Sequence, residues 1–311
     1  MEIRVRSIRN NPFLFPHRRY LNIRMDTNNV CNLTCGFCNV ELERKINQER
    51  PRFLSIEDFK KIADKMFFNA RSVYLSCMHE PFMTKHFTKY IKVASQYGIP
   101  QLGFVSNGTL IREEDIITCV EAGIDKVHIS IDGAKPETYK AIRGSDLDKV
   151  INVLHLFKEH KEKQNKKLPQ IVVNYTLFDV NVDELSIFIE RFGTLFDQII
   201  VGHYIKKNKE LPFNRVSDDV FSRKTEAAKK LCQERGINFI GSYEDRKINK
   251  ISRCYNPFHY RNISSKGEVS LCTHEVVGNI CEENFLAIEK RNRSKIMGLT
   301  YMQSDYCKRC Y

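Results

Sequence analysis

The sequence lacks the features that mark several classes of protein. It contains no apolar run long enough to cross a bilayer, so no membrane-spanning segment is expected. Residues 1–6 alternate charged and apolar side chains and form no continuous apolar core, so no secretory signal is expected. No zinc-finger, RNP-type aromatic or helix-turn-helix pattern is present, which disfavours a nucleic-acid partner.

Cysteine, by contrast, is abundant. The chain of 311 residues has 11 cysteines. Because no secretory signal is present, we expect reduced thiols that ligate metal, and a cytoplasmic protein. A composition of 42% hydrophobic and 28% charged residues is that of a globular protein, and the length allows one large domain and a small one.

The charge balance is basic, with a formal net charge of +12 at pH 7. Much of the positive charge lies in residues 1–19 and 158–167. A basic surface can attract an anionic substrate, an acidic electron donor or nucleic acid. For residues 158–167 a solvated helix face is the favoured interpretation, because lysine-rich runs usually have that role.

Three cysteines lie close together early in the chain, at Cys31, Cys35 and Cys38, with the spacing C-x3-C-x2-C. Phe37 directly precedes the last of them, and an alternating apolar run over 20–26 precedes the loop. One loop after a strand can supply three thiolates to a [4Fe–4S] cube, which leaves one iron without a protein ligand. A zinc site or a buried cysteine cluster is the alternative, although zinc sites usually combine two cysteine pairs.

Strand-like and helix-like segments alternate over residues 20–205. Strands are predicted over 20–26, 71–77, 101–106, 126–132, 170–177 and 198–205. Helices are predicted after Ser55 and over 85–97, 112–122, 146–161 and 181–193. The alternation predicts an α/β fold with a parallel sheet and with functional side chains at the C-terminal ends of its strands.

A second group of cysteines lies in the C-terminal part of the chain, at Cys254, Cys272, Cys307 and Cys310. Between the first two, residues 265–267 predict the turn of a β-hairpin. Two thiolates on a hairpin and two in C-x2-C make a four-ligand site for zinc or for a fully ligated iron–sulfur cluster. Residues 206–216 are predicted to be a linker, followed by a helix over 217–235 and a strand over 237–240.

The loop of Cys31, Cys35 and Cys38 resembles that of the radical S-adenosylmethionine (SAM) enzymes, in which the open iron of a [4Fe–4S] cluster binds SAM. The resemblance implies a partial (β/α)6 TIM-like barrel. It also implies a 5′-deoxyadenosyl radical that abstracts a substrate hydrogen, and a flavodoxin or ferredoxin as the electron donor.

Further motifs of that family follow the predicted strands. Residues 77–81 are similar to the family motif Gly-Gly-Glu-Pro but keep only its last two residues. Residues 106–109 are similar to the motif Thr-Asn-Gly. Residues 130–133 and 139–144 are together similar to a sequence block found in family members that carry additional C-terminal clusters. The residues predicted to contact the cofactor are Phe37, Glu80, Asn107, Ser130, Asp132, Arg143 and Asn174. The fork of Arg143 suits a carboxylate. A turn or helix cap stays open for Asp132.

The tail pattern C-x12-G-x4-C, followed by C-x2-C, resembles the short twitch form of the SPASM auxiliary-cluster domain. The resemblance implies that the four tail cysteines hold one auxiliary [4Fe–4S] cluster, with zinc as the alternative. The predicted domains are a basic arm (1–19), the partial barrel (20–210), a linker helix and strand (211–250) and the twitch/SPASM domain (251–311).

The four-cysteine tail is similar to that of 2-deoxy-scyllo-inosamine dehydrogenase. This implies a radical SAM oxidoreductase that oxidises a secondary alcohol of a sugar, cyclitol or nucleotide-sugar, with the auxiliary cluster accepting an electron. The basic charge suits a phosphorylated or nucleotide-linked small molecule. The alternatives are a redox-neutral epimerase with a thiol hydrogen donor, an enzyme that modifies a peptide or protein, and a zinc-binding module. Residues 1–19 are too few for a leader-peptide domain, which disfavours a ribosomal peptide.

Three residues are candidates for catalysis. His79 follows the second strand and is expected either to face the substrate or to have no role. His203 lies near a strand end, where a histidine is more often structural. Cys281 is a candidate hydrogen-atom donor or a packing residue, as is Cys77. The remaining cysteines are predicted to be small core residues; they are Cys119 and Cys232.

Overall fold

The computed structural model describes residues 19–38, 49–76, 78–204, 212–241, 256–271 and 275–297. Its internal contacts divide the chain into two compact units. The first unit comprises Met1–Val30, Pro51–Phe104 and Lys250–Tyr311, and the second comprises Cys31–Arg50 and Val105–Asn249. The domain boundaries drawn from the sequence stay predictions.

The first unit combines parallel strands with a C-terminal hairpin. Its elements in chain order are β1 (Leu21–Met25), α1 (Ile56–Met66), β2 (Ala70–Leu75), α2 (Phe87–Ser95) and the start of β3 (Gln101–Ser106). They continue with α8 (Asn256–His259), β8 (Tyr260–Ile263), β9 (Glu268–Ser270), β10 (Val276–Asn279) and α9 (Phe285–Met297).

Strand β1 has neighbours from both ends of the chain. It pairs in parallel with β2 on one edge, and β2 pairs in parallel with β3. On the other edge it pairs in parallel with β8, so that Asn22 lies opposite Tyr260. Strand β9 is antiparallel to both of its neighbours, β8 and β10. Arg261 of β8 is buried and forms a fork with Glu289 of α9 through two bonds of 2.7 Å, which ties this helix to the sheet.

The second unit is a parallel sheet with helices between its strands. Its strands are β4 (Lys126–Ser130), β5 (Gln170–Leu177), β6 (Gln198–His203) and β7 (Asn238–Gly241), and each is parallel to the next. Its helices are α3 (Glu113–Ala122), α4 (Pro136–Arg143), α5 (Leu147–Lys163), α6 (Leu185–Phe192) and α7 (Asp218–Glu234). The predicted mixed α/β fold with a parallel sheet is confirmed.

Local sequence signals explain most of the helix ends. Helix α1 begins after Ser55, whose hydroxyl accepts the Asp58 N–H at 3.0 Å. Helix α3 is followed directly by Gly123 and α4 by Gly144, and both glycines have positive φ. Helix α4 was not predicted, although Pro136 is a typical first residue of a helix.

The core follows the apolar faces of these elements. Strand β5 buries the consecutive apolar residues Ile171, Val172 and Val173, as central parallel strands do, and β6 buries Ile199 and Val201. Cys119 and Cys232 are fully buried, which confirms their prediction as core residues. Within the described ranges, no helix has the length and apolar character needed to cross a membrane.

The hairpin predicted in the tail is present. Its turn joins β8 to β9, and the Gly267 N–H donates to Ser264 O at 2.9 Å. Gly267 has φ +80°, and a Cβ on it would lie 2.5 Å from Cys281 Sγ. Position 267 therefore requires glycine for two reasons: the positive φ of the turn and the close approach of the Cys281 side chain.

Candidate active site

The cysteine loop is fastened to the C-terminal end of helix α4. The Gly36 N–H donates to Ile142 O at 3.0 Å, and the Cys35 thiol donates to Arg143 O at 3.7 Å. The Cys38 N–H closes the turn by donating to Cys35 O at 3.0 Å. Since two carbonyls of α4 contact the middle of the loop, the position of this helix sets the position of the thiols.

Phe37 joins the loop to a buried aromatic cluster. Its ring lies 4.9 Å from that of Phe178 and 6.4 Å from that of Tyr204, centroid to centroid. The Arg143 guanidinium lies 5.1 Å from the centroid of Phe37, within the range of a cation–π contact. Phe213 completes the cluster. The loop therefore has a flat apolar surface and a cation beside it.

Arg143 is held by a carboxylate at the end of strand β4. Its Nε and Nη2 lie 2.6 and 2.5 Å from Asp132 Oδ2, and Asp132 Oδ1 accepts the Thr176 N–H at 2.6 Å. Burial raises the pKa of Asp132, and the Arg143 charge acts against that rise. Burial would lower the pKa of Arg143, but the Asp132 charge raises it overall. Arg143 therefore stays charged.

Asn181 holds the backbone of Asp132 in place and was not predicted from the sequence to be part of the site. This fully buried side chain donates to Asp132 O and to Thr176 O, both at 2.9 Å. Its Oδ1 accepts the Phe178 N–H at 2.7 Å. These bonds keep residues 179–184 in turns, which explains why helix α6 starts at Leu185 and not at the predicted residue 181.

Glu184 fixes the other end of helix α4 and was also missed. Its carboxylate accepts the N–H groups of Ala134 and Lys135, at 2.7 and 3.1 Å, and the hydroxyl of Thr138 at 2.5 Å. These donors lie at the N-terminus of α4, where a carboxylate compensates unsatisfied N–H groups. The proline in the first turn of α4 indicates in the sequence that a helix begins there. It does not indicate which distant residue accepts the N–H groups at that helix start.

Asn107 contacts the first cysteine. Its Nδ2 donates to Asn32 Oδ1 at 2.9 Å and to Cys31 Sγ at 3.8 Å. Its Oδ1 accepts the N–H and the hydroxyl of Thr109, at 2.9 and 2.6 Å. The structure thus brings this predicted cofactor residue to the loop itself.

The two remaining predicted cofactor residues of the second unit occupy paired positions on neighbouring strands. Ser130 ends β4, and Asn174 lies opposite it on β5. Asn174 Oδ1 lies 3.2 Å from His128 Nδ1. Ser130 and Asn174 are half-buried. The structure places both within the sheet and leaves their role toward the cofactor a prediction.

In the first unit, Glu80 fixes the residue that precedes the loop. Its N–H donates to Val30 O at 3.1 Å, and Val30 is followed by Cys31. Asn28 donates to Glu80 O at 2.9 Å, and the Glu80 carboxylate accepts the Phe82 N–H at 3.2 Å. Glu80 is buried, so its side chain caps the turn that begins at Pro81.

The three predicted catalytic residues have different surroundings. In the first unit, His79 Nδ1 lies 3.6 Å from Asp26 Oδ2, and Cys281 is a half-buried thiol. In the second unit, the ring of His203 stacks on Phe221 at 4.2 Å and its Nε2 lies 2.9 Å from Val216 O. All three assignments stay predictions, and the predicted ligands Cys254, Cys272, Cys307 and Cys310, like Cys77, lie outside the described residues.

The donor set of the loop fits a [4Fe–4S] cube. Among the described residues, no three His, Cys, Asp or Glu side chains are arranged to hold a single metal ion. A cube binds each thiolate at a different iron, so its ligands need not converge on one point. Burial raises the pKa of Cys35, and the Arg143 charge opposes the rise. A thiolate at Cys35 would therefore have a cation beside it.

Comparison with known proteins decides the family. The sequence pattern described as the Radical SAM superfamily matches residues 25–192. The chain belongs to the Radical SAM superfamily. Among curated relatives, GTP 3′,8-cyclase of Vibrio vulnificus (strain YJ016) is 26% identical over 176 residues, which are 56% of this chain and 51% of that protein. The probable GTP 3′,8-cyclase of Methanococcus vannielii is 28% identical over 173 residues, 54% of each chain. This radical SAM chain thus spans about half the length of these relatives.

Solved structures show the same fold. Streptococcus suis SuiB bound to S-adenosylmethionine matches with a TM-score of 0.71 and 16% identity, covering 87% of this chain and 65% of SuiB. Native anSMEcpe with bound AdoMet and a Cp18Cys peptide matches with a TM-score of 0.65 and 16% identity, covering 89% and 83%. The parallel α/β sheet is consistent with a radical SAM partial barrel, and the family supports a [4Fe–4S] cluster and SAM as cofactors.

Proposed function

We propose that this radical SAM enzyme is an oxidoreductase that acts on a secondary alcohol of a phosphorylated or nucleotide-linked sugar or cyclitol. The observation that carries the proposal is the cysteine loop held on helix α4 beside Phe37 and Arg143. When bound there, the cluster and SAM supply a 5′-deoxyadenosyl radical, which takes a hydrogen atom from a substrate C–H. The chain itself positions these groups and excludes water.

Each residue of the site has a part in that positioning. Cys31, Cys35 and Cys38 would hold the cluster. Arg143 uses Nε and Nη2 on Asp132, and a planar guanidinium can bind a second carboxylate, that of SAM, through Nη1. The apolar cluster around Phe37 keeps water from that side of the loop.

A nucleotide-linked substrate has two lines of support. The curated relatives are named as cyclases of GTP, a nucleotide, and they match over 176 and 173 residues of this chain. The formal charge of +12 favours a substrate that carries phosphate.

Oxidation needs an electron acceptor, and the tail cysteines are proposed to hold it as an auxiliary cluster. The hairpin predicted between Cys254 and Cys272 is present, with Gly267 in its turn, and this supports the twitch pattern. A secondary alcohol that loses one hydrogen atom, one proton and one electron becomes a ketone. The hydrogen atom goes to the 5′-deoxyadenosyl radical, the electron to the auxiliary cluster and the proton to a base.

Iron counting tests the cofactors. After anaerobic reconstitution, the wild type should contain about eight irons, the number for two cubane clusters. Replacing Cys31, Cys35 and Cys38 by alanine should leave about four and abolish 5′-deoxyadenosine formation. The matched control replaces the buried Cys119 and Cys232 by alanine and should keep every iron. A wild type with about four irons would remove the auxiliary cluster from the proposal.

Deuterium transfer tests the reaction. Nucleotide-sugars and aminocyclitols labelled at the carbinol carbon should pass deuterium to 5′-deoxyadenosine and yield a ketone. Solvent deuterium in a product without a ketone would replace oxidation by epimerisation. A second candidate is peptide modification, since similar structures include SuiB bound to its precursor peptide SuiA. Deuterium transfer from labelled peptides alone would establish that candidate instead.

A further inference from the structure

The side-chain amide of Asn107 is held in one orientation. Its Oδ1 accepts the Thr109 N–H at 2.9 Å and the Thr109 hydroxyl at 2.6 Å. A backbone N–H can only donate, so the atom that faces it must be the amide oxygen. The NH2 group of Asn107 must therefore point the other way, toward the cysteine loop.

On the loop side, the amide completes a ring of hydrogen bonds. Asn107 Nδ2 donates to Asn32 Oδ1 at 2.9 Å, and Asn32 Nδ2 donates to Thr109 Oγ1 at 2.9 Å. With the bond from Thr109 to Asn107, three side chains close a circuit in which each one orients the next. Asn107 is 7% exposed, so water competes weakly for the bonds that Asn107 itself makes.

The same NH2 group lies 3.8 Å from Cys31 Sγ. A cysteine that ligates iron is a thiolate and therefore a stronger acceptor than a thiol. Hydrogen bonds to cluster sulfurs are one of the factors that set the reduction potential of an iron–sulfur cluster. An N–H group near Cys31 stabilises the more negative, reduced state and so raises that potential.

We propose that Asn107 is a positioning residue of the cluster, which donates to the Cys31 sulfur and raises the reduction potential. The sequence resemblance assigned Asn107 to SAM, and the two roles have different measurable consequences. The proposal rests on the cluster of the proposed function and not on its substrate or on the tail cysteines.

The test is a redox titration followed by electron paramagnetic resonance, on reconstituted protein without SAM or substrate. Asn107→Asp keeps an oxygen toward Thr109 but replaces the NH2 group by a carboxylate oxygen, so the potential should fall. Thr109→Ser keeps both donors to Asn107 and is the matched control, with an unchanged potential. The affinity for SAM is measured on the same samples from the change in the spectrum.

Two results would overturn the proposal. The first is an unchanged potential in Asn107→Asp, whether or not SAM binding weakens. The second is an unchanged potential in Thr109→Val, which removes one donor to Asn107, keeps both asparagines and adds no charge. Because the carboxylate of Asn107→Asp lowers the potential by its charge alone, the proposal is supported only when the potential also falls in Thr109→Val without SAM, whatever the SAM affinity. The titration contains no substrate, so an unchanged potential would not contradict the proposed oxidation. Equally, a failure to find the proposed substrate would not change the interpretation of the potentials.

Discussion

Arg143 directs two nitrogens at a single oxygen of Asp132, at 2.6 and 2.5 Å. The two residues are eleven positions apart: Asp132 follows strand β4 by two residues, and Arg143 is the last residue of helix α4. Asp132 is fully buried, so neither charge could lose its partner without a large cost. The pair thus connects the sheet to the helix that carries the cysteine loop.

Arg143→Met is expected to lower the free energy of unfolding by about 3–5 kcal/mol, because it leaves the Asp132 carboxylate buried without a counter-charge. Adding Asp132→Asn should recover part of that loss, since an amide needs no counter-charge. Urea unfolding of both single variants and the double variant gives the coupling energy. A double variant whose loss equals the sum of the two single losses would show that the two side chains do not depend on each other.

Glu184→Ala is expected to destabilise the fold by about 1–3 kcal/mol, because three donors at the start of helix α4 lose their acceptor. Glu184→Gln keeps one oxygen and should cost less. The matched control is Asp183→Ala, which removes the neighbouring exposed carboxylate and its surface pair with Lys224, worth about 1 kcal/mol or less. Iron retained after gel filtration is the second measurement, and it should fall only in the Glu184 variants.

Gly267→Ala should be more destabilising than Gly236→Ala. Both glycines have positive φ, so alanine costs each position about 1–2 kcal/mol. Nothing lies within 4 Å of a Cβ at Gly236, whereas at Gly267 the Cβ would meet Cys281 Sγ at 2.5 Å. The difference between the melting temperatures of the two variants, each compared with the wild type, measures the cost of the steric contact with Cys281. Equal losses would mean that Cys281 moves aside without cost.

Alkaline pH should destabilise the protein through Cys232. Burial raises the pKa of this thiol from 9.0 to about 11. Above pH 9 the thiol ionises in the unfolded chain before it does in the folded one, so the unfolded state binds fewer protons. The contribution to stability is complete below pH 9 and is lost as the pH rises toward 11. Urea unfolding across that range should give a flatter pH dependence for Cys232→Ala; an identical slope would contradict the assignment.

The strands were predictable where hydrophobic alternation is regular. Strands β3 and β5 have the predicted bounds, 101–106 and 170–177. Helix α4 was missed because it has only eight residues and buries only Tyr139 and Ile142. The two buried residues lie on one face of the helix, but a segment of eight residues repeats that spacing too few times for it to be recognised, and its contacts with Glu184 and the loop hold it in place.

The cysteine loop was predicted from its spacing and from its resemblance to the radical SAM loop, but the residues that hold it in place were not predicted. Asn181 and Glu184 act mainly on backbone N–H and C=O groups, which have no sequence signature. Asn107 was identified from a motif, yet its contact with Cys31 depends on the ring through Asn32 and Thr109, which no linear pattern shows.

The pairing of β1 with β8 has a consequence for how the protein is made. Strand β1 leaves the ribosome more than 200 residues before β8, so its edge toward β8 stays open until residue 263 has been translated. Contacts between segments so distant in sequence slow folding, and an open strand edge can pair with a wrong chain in the meantime. The strand that leads into the cysteine loop is thus synthesised well before its partner β8, and the yield of folded protein should depend on how well the nascent chain is protected until then.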